Sequence, residues 1–115
     1  MVSNVKKILE EASVGGITAR EEMTKVLTEL AKWKNWGRED ICGLCWLEVD
    51  RGTCRWIQAL EMAGVKAYAT DVGFRVRLDA VEDHQRFCAS MAGLEAAAEV
   101  FKNHGIQAEA CGMAD

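Results

Sequence analysis

Five cysteines and two histidines are the side chains of this chain whose spacing invites chemistry. Cys42-Gly-Leu-Cys45 has the gap of a redox pair, but no strand is expected before it to hold such a pair as thioredoxin-like folds do. As metal ligands the two thiols need two more. His84 and Cys88, spaced i and i+4 on one expected helix, complete a weak candidate zinc set, Cys42, Cys45, His84 and Cys88. The simpler account is buried thiols and a surface histidine, with Cys42, Cys45, Cys54 and Cys88 all inside expected helices. An odd cysteine count fits a reducing compartment better than a disulfide framework. Cys111, near the end of the chain, is the expected exposed thiol, although nothing near it in sequence lowers its pKa. No nucleophile–base pair, paired-carboxylate motif or phosphate-cradling glycine loop occurs, and Glu82-Asp83 read as first-turn acids of a helix. The expectation is a protein that is not an enzyme and carries no cofactor.

Trp33, Trp36, Trp46 and Trp56 cluster within 24 residues. They are expected to form a core where three helices meet, with their indole nitrogens bonded at its edge. The alternative is that one or two stand exposed as anchors for a protein partner, a place where tryptophan is enriched.

The elements that must position these residues follow from periodicity. Val2, Val5, Ile8, Leu9 and Ala12 recur at helical spacing, giving a helix over 3–12 that Val14-Gly-Gly16 is expected to break. Thr18-Ala-Arg-Glu21 reads as a capping box opening a second helix to Lys34, with Met23, Val26, Leu27, Leu30 and Ala31 as its apolar stripe. A third helix is expected from Arg38 to Leu47 and a fourth from an Asp50 cap to Gly64, a left-handed C-terminal glycine. From Val65 the period becomes two. Phe74, Val76 and Leu78 face one way and Arg75 and Arg77 the other, around an Asp71-Val-Gly73 turn with glycine at positive φ. Asp79-Ala-Val-Glu82 opens the longest expected helix, running to Asn103 and capped by Gly105, with Val81, Phe87, Cys88, Met91, Leu94, Ala98 and Phe101 inward. A short strand over 106–110 ends the chain. Leu60-Glu-Met-Ala-Gly-Val-Lys-Ala and Phe101-Lys-Asn-His-Gly-Ile-Gln-Ala echo each other, read here as shared chain grammar rather than a repeat.

The run from Arg38 to Leu78 resembles the winged helix-turn-helix superfamily. Leu47, Val49, Asp50, Thr53, Ile57, Leu60, Ala63 and Gly64 match its turn and second helix. Glu48 stands where the turn glycine is usual, and Gly43 where the preceding helix usually carries an aliphatic. The resemblance implies an α+β domain: a winged-helix-like helical core over 18–78 and a two-stranded β-hairpin. Residues 1–17 add an N-terminal helix and glycine break, and 79–115 a long C-terminal helix and short tail. It further implies a small DNA-binding transcriptional regulator. Arg51, Thr53 and Arg55 would reach bases or phosphates from the second helix, and Lys66, Arg75 and Arg77 would hold the backbone from the wing. Many winged helices bind protein instead. The alternative function is accordingly a protein-binding adaptor or inhibitor, such as a phage or mobile-element accessory protein, on the same scaffold.

Composition bounds these readings. At 115 residues, half of them hydrophobic, the chain suits one domain with its own core. No apolar run or leader-like N-terminus suggests a membrane span or a signal peptide, so a cytoplasmic protein is expected. Net charge is +1 over 1–37, −1 over 38–79 and −4 over 80–115, which is not the profile of a non-specific nucleic-acid binder. The small side chains of Ala89 to Ala98 permit close helix approach. They are expected to form a homodimer contact through the C-terminal helix or to lie across the helical core.

Overall fold

The computed structural model describes residues 2–34, 40–50, 54–71 and 73–114, with side chains at all of these except 2–4, 34 and 54–56. Along them run α1 (Val2–Lys34), β1 (Gly43–Asp50), α2 (Cys54–Met62), β2 (Lys66–Ala69), β3 (Gly73–Arg77), α3 (Phe87–Asn103) and β4 (Ala108–Ala114). The strands form one antiparallel sheet in the order β2-β3-β1-β4. Two β-α-β units, β1-α2-β2 and β3-α3-β4, therefore interleave, each split by a strand of the other, in the topology called ferredoxin-like. The α+β class expected from the sequence holds; the arrangement within it differs.

The segment expected as the helix before the turn, up to Leu47, is β1 from Gly43 onward. Leu44 to Asp50 satisfies both periods on paper. Pairing decides it, because Leu47 lies between Val76 of β3 and Ala110 of β4. Cys45, Leu47 and Val49 then face the helices and are buried, whereas Leu44, Trp46, Glu48 and Asp50 face away. The expected wing is present as β2 and β3, but β3 is built into the sheet beside β1. Gly73 begins β3, and positive φ among the described glycines belongs to Gly64 and Gly105 instead.

α1 runs unbroken through Gly15 and Gly16 for 33 residues. At about 1.5 Å per residue it spans about 50 Å, which sets the 49 Å long dimension of the molecule. Tertiary packing overrides the local cost of glycine at a crossing with α3. A Cβ on Gly93 would stand 2.6 Å from the Gly16 carbonyl oxygen and 2.8 Å from Val81. One on Gly16 would stand 2.8 Å from Val81. The bare backbones are what let α1 and α3 touch. The small-residue face of α3 is taken up by α1 rather than left open: Ala89, Ala97 and Ala98 are buried, and α1 packs chiefly on α3. Val5, Ile8 and Ala12 join Leu60, Leu94, Phe101 and Ile106 in the core.

The expected long C-terminal helix is shorter at its start, and the short strand expected over 106–110 forms as β4. The helix begins at Phe87, because residues 79–86 are tied into turns. Glu82 accepts from the Leu78 amide and from Arg77 Nε (2.7 Å), while Ser90 Oγ accepts the Asp83 amide (2.8 Å) and donates to its carbonyl (3.0 Å). Burial pushes the Glu82 carboxyl up, and the Leu78 amide and Arg77 guanidinium pull it part-way back. The cap of α3 comes from a distant residue. Asp40 accepts from the amides of Cys88 (2.9 Å) and Ala89 (3.1 Å), two donors a helix start leaves orphaned. Phe87 then lies over the strand pair, close enough that a Cβ on Gly43 or Gly112 would meet its ring at 2.7 or 2.6 Å.

Among the described residues, no helix is long and apolar enough to cross a membrane. Two opposite outcomes are expected from glycines on the two packed helices. Gly15→Ala, whose new Cβ would find its nearest neighbour at 4.0 Å, should raise unfolding stability by about 1 kcal/mol. Gly93→Ala should lower it by about 2 kcal/mol through overpacking. Urea titration reads both, and equal effects would refute the close crossing. Asp40→Ala should cost about 1 kcal/mol for the lost cap, with hydrogen exchange accelerated first at Cys88 and Ala89.

Candidate binding surface

One face of the sheet carries the helices, and among the described residues no element covers the other, the open face. The pleat and the register place its residues in rows across the strands. Lys66, Arg77, Trp46 and Cys111 form one row, and Tyr68, Arg75, Glu48 and Glu109 the next. Beyond the first row lie Leu44 and Met113. Three apolar side chains stand out into solvent here, Leu44 (54 % exposed), Tyr68 (54 %) and Met113 (68 %). Leu44 and Tyr68 line a shallow depression of about 320 Å³ together with Trp46, Arg75 and Arg77.

The polar groups of this face are tied together. Glu48 Oε1 accepts from Trp46 Nε1 (2.9 Å) and from Arg75 Nε (3.2 Å), and the Arg75 guanidinium stacks 4.3 Å from the centre of the Trp46 ring. Cation–π attraction and the ion pair act on the same arginine, so its orientation is fixed from two directions. Glu48 Oε2 is buried and has no hydrogen-bond partner. An orphan carboxylate oxygen costs about 1–3 kcal/mol. Arg77 leans the other way, toward Glu82.

The expected binding residues divide in consequence. Lys66, Arg75 and Arg77 do share one face, but two of the three charges are matched by carboxylates. Arg51 and Thr53 lie outside the described residues, as does the side chain of Arg55. The two described tryptophans do not gather into a core: Trp33 is 88 % exposed on α1, and Trp46 is half-buried on the open sheet. Trp36 and the side chain of Trp56 lie outside the description. Sequence reasoning missed Leu44, Tyr68 and Met113. Their shared face appears only once Leu44 to Asp50 is a strand, since a helix scatters alternate residues around its axis.

The candidate zinc set is dispersed. Cys45 is in β1 beneath the sheet, and His84 precedes α3 instead of sharing its face with Cys88. Among the described residues no group of three or more His, Cys, Asp or Glu side chains is placed to hold a metal. Cys45, Cys88 and Cys111 are also held in their neutral forms. Burial pushes Cys45 up to about 11. Burial followed by the Glu48 and Glu109 carboxylates pushes Cys111 up, and burial followed by Asp40 does so for Cys88. Cys111 is thus partly covered and not activated.

Compared with known proteins, the chain matches no family model, no curated protein and no solved structure. Its surface has to be interpreted from its own chemistry.

Cys45 yields a signed pH dependence. Its folded pKa lies above the ordinary 9.0, so its contribution is complete below pH 9 and is lost as pH rises toward 11. The urea midpoint of the wild type should fall between pH 8 and pH 10.5, and Cys45→Ala should flatten that fall. A slope unchanged by Cys45→Ala would rule this out. Alkylation at pH 8 should likewise spare Cys45 and reach Cys88 and Cys111 more slowly than a free thiol.

Proposed function

We propose that this protein is a protein-binding module, an adaptor or inhibitor, that docks its partner on the open face of the sheet. The observation that carries the reading is an uncovered four-stranded face whose exposed apolar residues, Leu44, Tyr68 and Met113, surround charges already engaged with one another. Exposed apolar side chains gathered on one face of a sheet mark an interaction site. Met113, Tyr68 and Trp46 belong to the residue types that dominate the centres of protein interfaces.

A winged-helix DNA-binding regulator draws less support from this geometry. Phosphate binding needs cations free to replace counterions. Here Arg75 and Arg77 are spent on Glu48 and Glu82, and Glu109 and Asp50 add negative charge to the same face. The winged-helix reading also needs a helix where β1 lies.

Two measurements separate the readings. Anisotropy titrations with duplex and single-stranded DNA at low salt should detect no complex, whereas a tight, steeply salt-dependent one would restore the regulator. A photo-crosslinking residue at position 44 or 113 should trap a protein partner in cell extract, and the same residue at position 95 or 99 of α3 should not. Equal trapping from both sides would sink the docking face.

A further inference from the structure

β4 forms one edge of the sheet, and the phase of its ladder decides which backbone groups stand there. The Asp50 amide donates to the Gln107 carbonyl at 3.0 Å, and the register continues without a bulge to Gly43 and Ala114. Glu109, Cys111 and Met113 therefore turn their amides and carbonyls toward β1, and Ala108, Ala110, Gly112 and Ala114 turn theirs outward. Ala108 is buried, but Ala110 is only half-buried and Gly112 and Ala114 are exposed. No described residue bonds to the outward groups of these last three. The other edge is better guarded. β2 is four residues long and carries Lys66, and a short strand and a lysine both discourage edge pairing. β4 runs for seven residues with neither lysine nor proline, and its stretch from Ala110 to Ala114 is uncharged. Such an edge is a template for another strand.

We propose that this strand is β4 of a second copy, paired antiparallel about a two-fold axis through Gly112 and perpendicular to the sheet. Ala110, Gly112 and Ala114 are disposed symmetrically about Gly112, so this centre alone gives every free outward group a partner. Ala110 meets Ala114 of the other copy, and Gly112 meets its own counterpart. On the open face, Cys111 comes beside Met113 of the other copy, a side chain 68 % exposed in one chain. Charge favours the same choice. Two copies of a chain carrying −4 repel each other, and this neutral stretch brings them together without opposing like charges. α3 begins over Gly112 and runs back toward the Ala108 end, so the two α3 helices point away from the axis. The two sheets join edge to edge and both open faces stay uncovered, which makes the inference independent of the docking reading of that face. Isologous pairing of one surface with itself is the commonest form of soluble assembly.

Three measurements test it. The wild type should sediment as a dimer at about 100 μM. Ala110→Pro removes an outward amide and leaves the bonds to β1 in place, so it should weaken the dimer at least about tenfold. Hydrogen exchange needs no variant. In the dimer the amides of Ala110, Gly112 and Ala114 should exchange at least about tenfold more slowly than those of Ala67 and Ala69, which point outward from β2. Cross-linking reads the register. Cys111 and Met113 of the other copy form a non-hydrogen-bonded pair about 4.5 Å apart at Cα, within disulfide reach. Met113→Cys should therefore give a covalent dimer under diamide, and adding Cys111→Ala should abolish it. Wild-type Cys111 should not link to itself, since that diagonal is about 7–8 Å. A monomeric wild type, equal exchange at the two edges, or no covalent dimer from Met113→Cys would each overturn the proposal.

Discussion

The pleat of β1 governs both sides of this molecule. It is a central strand, held by β3 on one edge and β4 on the other, and its alternate residues serve opposite purposes. Cys45, Leu47 and Val49 feed the core, and Leu44, Trp46, Glu48 and Asp50 form the middle of the open face. A slip of one residue would exchange the two sets. It would put Glu48 under α3 and Leu47 in water, losing about 2 kcal/mol of leucine burial and stranding a carboxylate in the interior. Core and surface therefore lock the same register, and the composition of the open face follows from the packing of the hidden one.

The helical side obeys a different constraint, that of close approach. α1 is held on α3 where two glycines meet, and Arg20 ties it down further by donating to the carbonyls of Ala80 and Val81, both at 3.1 Å. Arg86 reaches from the same loop to Glu21 and Asp83, and the Arg86 hydrogen bond holds the Asp83 carboxyl below its usual range. The loop before α3 is thereby clamped between α1 and the sheet. Phe87 repeats the principle on the strands, where Gly43 and Gly112 leave room for its ring. At Gly16, Gly43, Gly93 and Gly112 glycine marks a contact surface and not a break.

Much of this grammar was legible in the chain. The alternation at Phe74–Leu78 gave β3 and its two faces, and Gly64 and Gly105 each end a helix at positive φ as read. Both ends form the same pair of bonds: Val65 and Ile106 amides to the carbonyls of Leu60 and Phe101, and Gly64 and Gly105 amides to those of Glu61 and Lys102. The echo between these segments goes beyond shared grammar, because they occupy equivalent points of the two β-α-β units, each leading from a crossover helix into an edge strand. What stayed hidden depends on partners distant in sequence. An almost wholly apolar run such as Leu44–Val49 fits either period until its neighbours are known. Gly15-Gly16 reads as a break until Gly93 arrives, and Asp40 shows no sign of capping a helix that begins 47 residues later. The open face shared this fate: Lys66, Arg75 and Arg77 are legible as a group, and the carboxylates that neutralise two of them are not.

Net charge sharpens the contrast between the two sides. The chain carries −4 overall, which by itself opposes association with another acidic surface. Yet the open face is balanced, with Lys66, Arg75 and Arg77 against Glu48, Asp50 and Glu109. The surplus sits elsewhere, in part on the exposed Glu10, Glu11 and Glu22 of α1 and Glu95 and Glu99 of α3. Apolar exposure and local neutrality coincide on the sheet; on the helices, exposed apolar residues such as Val26 and Leu30 lie among charges of both signs. The acidic surplus of the helical side opposes contact with another acidic surface, and the sheet face carries no such surplus.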